Sequence, residues 1–127
     1  MVETVTLVVP PSPAIVIRGL STRFGQQVIH QDLDLTVERG EILALVGGSG
    51  TGKSTLLREI ILLQRPTAGS LRVFDQEVWQ LGEGEAGQLR RRFGMMFQHG
   101  ALFGDLTVAG NVMVPLREHT RLAPTLM

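Results

Sequence analysis

The residues Gly47, Gly48, Ser49, Gly50, Thr51, Gly52, Lys53 and Ser54 satisfy the pattern G-x-x-x-x-G-K-[ST]. Each position has a physical task if the ligand is a polyphosphate. Glycines let the backbone turn tightly and approach phosphate oxygens, so successive N–H groups form an anion-binding nest. A helix opening at the end of the turn adds the positive end of its dipole. Lys53 is then predicted against the β- and γ-phosphates, and the Ser54 hydroxyl on Mg²⁺. The alternative is a Gly-rich turn between strand and helix that holds no ligand. A chain of this composition meets the pattern by chance in roughly 0.2% of cases, which favours the phosphate reading. Eleven of the twelve basic residues are Arg, and Lys53 is the single Lys. A compact ammonium and a planar guanidinium are not equivalent at a phosphate, so Lys53 is read for chemistry.

Such a loop must be held between a strand and a helix, and the flanking residues supply both. Residues 42–46 (Ile-Leu-Ala-Leu-Val) are a continuous apolar run, as in strands buried on both faces. After Lys53 the residues Leu56, Leu57, Ile60, Ile61 and Leu63 fall at helical spacing, with Arg58 and Glu59 on the other side. Pro66 and Gly69 are expected to end that helix. Upstream, residues 14–18 are a short β-branched run, and residues 32–38 alternate polar and apolar at period two. Residues 70–74 and 93–97 are predicted as further strands, and residues 83–92 as a weak helix. A last helix is expected from a Thr107 cap through about Leu116, weakened by Gly110 and Pro115. Residues 1–13 end in Pro10, Pro11, Ser12 and Pro13 and are expected to be a Pro-rich N-terminal extension.

Composition bounds the function classes. The 127 residues carry 12 Lys+Arg against 12 Asp+Glu, for zero formal charge and pI ≈ 6.8. That balance argues against a nucleic-acid binder driven by bulk electrostatics. The Arg90-Arg91-Arg92 run is read as a solvated helix face near Glu83 and Glu85. With 43% hydrophobic and 19% charged residues, the chain has a globular balance. The absence of cysteine excludes disulfides, thiol catalysis and Cys-based zinc sites, and suits a reducing compartment. The longest apolar runs, residues 42–46 and 60–63, fall far short of the about 20 residues that span a bilayer. No basic residue precedes Arg18, which argues against a secretory signal. One intracellular soluble domain is the expectation. His30, His99 and His119 have no metal-ligand spacing with one another, and Trp79 and the five Met residues are read as packing.

Beyond the loop itself, Phe24-Gly25, Gly40-Glu41-Ile42, residues 47–55 through Thr55, Pro66-Thr-Ala-Gly-Ser70 and Met95-Met-Phe-Gln98 together resemble the N-terminal half of an ABC-transporter ATPase domain. The resemblance covers residues 14–120. It implies an α/β fold: a P-loop NTPase core with parallel strands and an N-terminal antiparallel β layer. It implies ATP and Mg²⁺ as ligands. An aromatic at the position of Phe24 stacks on adenine in that family; the plain alternative is a core aromatic. Gln98 corresponds to the glutamine that reaches the metal and attacking water beside the transmembrane partner; taken alone it is a polar loop residue.

A narrower similarity lies in residues 97–108 and 111–119, which resemble the ATPase subunits of Mla-type systems that move phospholipid between bacterial membranes. The family's signature motif, its Walker B strand ending in Asp-Glu and its switch histidine have no counterpart in the 127 residues. Residues 14–127 are therefore expected to be part of a nucleotide-binding domain, cut before those elements. The resemblance implies an energising subunit with a transmembrane permease partner and a second ATPase subunit, located in the cytoplasm on the inner face of the membrane. It implies no nucleic acid and no span. This chain alone is expected to bind ATP without turnover. The alternatives are a non-catalytic nucleotide-binding fragment and another P-loop enzyme, such as a small-molecule kinase.

Overall fold

The β-branched run that begins at Ile15 forms strand β1 (Ile15–Phe24), and the alternating stretch after it forms β2 (Gln27–Val37). The two-residue link Gly25-Gln26 closes them into a hairpin, with Phe24 opposite Gln27. In this computed structural model, which describes residues 12–98 and 100–126, most of the expected N-terminal extension and His99 lie outside the described residues. Two compact units make up the chain, Met1–Phe93 and Gly94–Met127.

In the first unit β1 is paired on both sides. Strand β3 (Ala68–Val73) runs antiparallel along its other edge, and the short β4 (Gln76–Glu77) pairs with β3 in turn, giving the order β2-β1-β3-β4. Phe74 and Asp75 connect β3 to β4 with positive φ at both positions (48° and 67°), the backbone that a tight two-residue hairpin turn requires. The registers slip together at one place. Between Ile17 and Leu20 on the β2 side, and between Arg18 and Ser21 on the β3 side, β1 carries one residue more than its partner. Gly19 sits there with φ +57°, and its N–H donates to Asp34 Oδ1 at 2.7 Å. Gly69 of β3 lies against the same backbone: a Cβ on it would stand 2.5 Å from the Gly19 carbonyl oxygen.

Ile17, Leu20, Leu71 and Val73 face a core completed by Leu56, Ile60 and Leu62, and by Val78, Ala86 and Leu89. Leu56 and Ile60 belong to helix α1 (Lys53–Ile60), and Ala86 and Leu89 to α2 (Glu83–Arg90). Helix α1 ends earlier than Pro66 and Gly69 suggest. Leu62 takes a left-handed backbone (φ 61°), and the N–H of Leu63 returns to the Arg58 carbonyl at 2.8 Å. This is a Schellman closure built on leucine where glycine is usual. Two consequences correct the helical reading. Leu57 and Leu63 are exposed, and Glu59, expected on the polar side, has no exposed surface at all.

The expected strand at residues 42–46 does not form and pairs with nothing among the described residues, and Ile42 and Val46 are 97% and 89% exposed. A parallel strand buried on both faces needs a neighbour on each side, and the sheet of the first unit is antiparallel and does not include these residues. Residues 93–97 likewise form no strand, for the same reason. In the second unit helix α3 (Val108–His119) starts at Thr107 as expected, with the Thr107 hydroxyl accepting from the Gly110 N–H at 3.0 Å, and continues past Pro115 and Leu116. The Asn111 amide donates to the carbonyls of Phe103, Leu106 and Thr107 and accepts from the Phe103 N–H, so it clasps the loop before the helix.

Candidate nucleotide-binding site

Residues 47–52 form the turn that leads into α1. Gly50 and Gly52 take positive φ (80° and 90°), a backbone that L side chains rarely adopt. Gly52 is the N-cap of α1, and its carbonyl already accepts from the Leu56 N–H at 2.9 Å. The first N–H groups of the helix have no partner within it. Thr51 Oγ1 donates to the Gly48 carbonyl at 2.9 Å and pins the turn from inside.

Lys53 lies in the mouth of this turn. Its Nζ donates to the carbonyls of Gly47 and Gly48 at 2.7 and 2.5 Å and to Thr51 Oγ1 at 3.1 Å. Ser49, Ser54 and Thr55 stand with the loop residues around a shallow pocket of about 240 Å³, which Ile29 of β2 closes on one side. The structure thus brings Gly47, Gly48, Ser49, Gly50, Thr51, Gly52, Lys53, Ser54 and Thr55 together in one local unit. The chemistry of that unit suits a phosphate: backbone donors at a helix N-terminus, one ammonium and the four hydroxyls of Ser49, Thr51, Ser54 and Thr55. Nothing at Gly50 would obstruct an approaching ligand, since even a Cβ there would meet no atom within 4 Å. Among the described residues no group of three or more His, Cys, Asp or Glu gathers to hold a metal.

Phe24 ends β1 beside the tight turn at Gly25 and is 51% exposed, so it is not a core aromatic. Gln98 belongs to the second unit, in an exposed turn, and is not among the residues lining the pocket at the loop. Sequence reasoning missed three residues under the loop. Thr22, His30 and Glu59 are all buried, and Thr22 Oγ1 donates to Glu59 Oε1 at 2.5 Å. A signal for Glu59 existed, since it lies three residues after Leu56 and one before Ile60, on the stripe that a helix buries.

Residues 30–126 match the family model described as ABC transporter. A methionine import ATP-binding protein, MetN 2 of Bacillus cereus (strain ZK / E33L), is 48% identical over 95 residues, covering 73% of this chain and 28% of that protein. The probable ribonucleotide transport ATP-binding protein mkl of Mycobacterium leprae is 40% identical over 112 residues, covering 88% of this chain and 32% of its own. Among solved structures, the dimeric bacterial ABC transporter cassette MJ0796 superposes with a TM-score of 0.75 at 30% identity, over 86% of this chain and 49% of that one. The same cassette in a post-hydrolysis state, bound to ADP and Pi, gives a TM-score of 0.74 at 29% identity. The chain spans about a third or less of the curated relatives it matches. With the loop, the antiparallel layer and the family match in agreement, this chain belongs to the ABC transporter family and carries part of its ATP-binding domain.

Proposed function

We propose that this chain binds ATP with Mg²⁺ as part of the energising subunit of an ABC transporter. The observation that carries the reading is Lys53, whose ammonium lies among the Gly47 and Gly48 carbonyls at the N-terminus of α1, where a polyphosphate would replace them. In this reading the backbone of residues 48–54 wraps the phosphates and Lys53 neutralises the β- and γ-oxygens. Ser54 holds the Mg²⁺, which draws charge from the phosphate oxygens when bound. Phe24 supplies a face for adenine, and Gln98 corresponds to the glutamine that reaches the metal and the attacking water in the family it resembles. Membership in the family selects this reading over a small-molecule kinase. A transmembrane permease and a second ATPase subunit complete the machine, at the inner face of the membrane. Among the described residues no helix is long and apolar enough to cross one.

The cargo we propose is lipid. The support is the likeness of residues 97–108 and 111–119 to Mla-type subunits; the named relatives are described as importing methionine or transporting ribonucleotides. A gene neighbourhood encoding amino-acid permeases with a matching solute-binding protein would overturn the lipid assignment and leave the nucleotide reading standing.

The test of nucleotide binding is a fluorescent-ATP titration beside a phosphate-release assay, both on the 127 residues expressed alone. Binding that requires Lys53 is expected, without phosphate release above background, because a positioned water needs a carboxylate beside it and the chain offers none in family position. Phosphate release that depends on Lys53 would show that such a carboxylate is present after all.

A further inference from the structure

Beneath the phosphate loop lies a set of buried polar side chains that nucleotide binding as described does not use. Glu59 on α1 has no exposed surface, Thr22 on β1 has 1% and His30 on β2 has 8%. Thr22 Oγ1 donates to Glu59 Oε1 at 2.5 Å. His30 Nδ1 stands 3.6 Å from Glu59 Oε2, within ion-pair range and too long for a hydrogen bond. Neither of those two atoms has a hydrogen-bond partner. The other nitrogen of the imidazole, Nε2, bears on the loop itself: a Cβ on Gly52 would stand 2.6 Å from it, and 2.7 Å from Ile29 Cγ2.

A buried carboxylate is strongly disfavoured unless it is paired and hydrogen-bonded. Leucine at position 59 would complete the apolar stripe of Leu56 and Ile60 without that penalty. A role that apolar packing cannot perform is what offsets it. The three polar groups come from three elements and meet at the helix that begins with Lys53, which makes that role positional.

We propose that Thr22, His30 and Glu59 form a polar seat that fixes the last turn of the phosphate loop and helix α1 over the sheet that carries Phe24, and that Glu59 and His30 are positioning residues for phosphate binding. This rests on the nucleotide reading above. Glu59 follows Lys53 by six residues on the same helix, so a carboxylate held by Thr22 sets the rotation of α1 about its axis. His30 bears on Gly52, the residue before Lys53, so the imidazole limits how far the loop sinks toward the sheet. With either contact gone, the loop N–H groups drift from the positions a phosphate requires, and preorganised sites lose heavily from displacements of about 1 Å.

The experiment titrates the purified protein with a fluorescent ATP analogue and Mg²⁺, uses inorganic tripolyphosphate as competitor, and records a thermal melt for every variant. Glu59→Ala and His30→Ala are each expected to weaken both ligands about tenfold, with the double variant no weaker than the worse single one, since the residues act as one coupled unit. Glu59→Gln is expected to recover most of the affinity: its amide oxygen still accepts from Thr22, and its amide N–H can donate to His30 Nδ1. A merely structural role would lower the melting temperature and leave both Kd values of the folded variants unchanged, which overturns the proposal. Glu59→Gln binding as weakly as Glu59→Ala also overturns it. Should Glu59→Ala fail to fold, His30→Ala decides alone, and wild-type affinity there counts against the seat. Lys53→Ala separates the two levels. Unchanged binding in Lys53→Ala removes the nucleotide reading itself, whereas lost binding there with wild-type affinity in the seat variants removes only the seat.

Discussion

Lys53 Nζ lies 2.7 Å from the carbonyl oxygen of Gly47, six residues back along the chain, and so folds the single lysine of the protein over the loop it serves. A phosphate that enters the loop competes with the Gly47 and Gly48 carbonyls for the same N–H donors. Charge-assisted hydrogen bonds contribute about 1.5–3 kcal/mol each. Lys53→Ala is therefore expected to lose at least about ten- to a hundredfold in nucleotide affinity. Lys53→Arg is expected to restore little of it, because a planar fork cannot occupy the place of a compact ammonium. Equilibrium titration of the two variants beside the wild type measures both outcomes.

Phe24 is half exposed at the end of a strand, which leaves a face of its ring open to a base. Base–aromatic stacking is worth about 1–3 kcal/mol. Phe24→Ala should weaken ATP binding by that amount and leave competition by tripolyphosphate unchanged, because the phosphates never meet the ring. Equal losses for both ligands would instead make Phe24 a part of the hairpin's stability.

Two glycines with positive φ should respond unequally to alanine. At Gly69 (φ +96°) the new Cβ would meet the Gly19 carbonyl oxygen at 2.5 Å and Leu20 Cα at 2.6 Å, both backbone. At Gly25 (φ +60°) it would meet nothing within 4 Å. Gly25→Ala is expected to cost about 1 kcal/mol from backbone strain alone, and Gly69→Ala about 3 kcal/mol or more as overpacking is added. Urea unfolding midpoints should rank wild type, Gly25→Ala and Gly69→Ala in falling order.

Thr107 caps α3 through a single hydroxyl that accepts from the Gly110 N–H. Thr107→Ala is expected to destabilise the helix start by about 1 kcal/mol. Hydrogen exchange should show faster exchange at Gly110 and Asn111, with strands β1 and β3 unaffected.

Local chemistry was legible in the sequence, and long-range pairing was not. The glycine loop, the onset of α1 at Lys53 and the Thr107 cap each depend on residues within one or two turns, and the structure shows those elements where the residues place them. Residues 42–46 are apolar enough for a central strand, yet a strand also needs partners, and no local pattern reports whether they are present. Leu62 ended α1 through a left-handed backbone that no propensity assigns to leucine. A charged side chain on a helix reads as solvent-facing, and Glu59 is buried. Spacing from Leu56 and Ile60 puts it inside, where Thr22 meets it.

The slip at Gly19 has a meaning for chain length. Strand β1 carries one surplus residue against both neighbours at the same point, with Ile17 and Arg18 before it matched to Leu35 and Ser70, and Leu20 and Ser21 after it matched to Leu33 and Ala68. Removing Gly19 would let both ladders close without changing a single partner on either side. Removing Arg18 would close the same gap, with Gly19 taking its place, whereas removing Val16 or Ile17 would turn the side chains that precede it to the opposite face of the sheet. The ten-residue strand therefore has one point, Arg18-Gly19, at which its length can shorten while Ile17, Leu20 and Thr22 still point at the same helix, and a deletion at Val16 or Ile17 would have to be repaired by a second one.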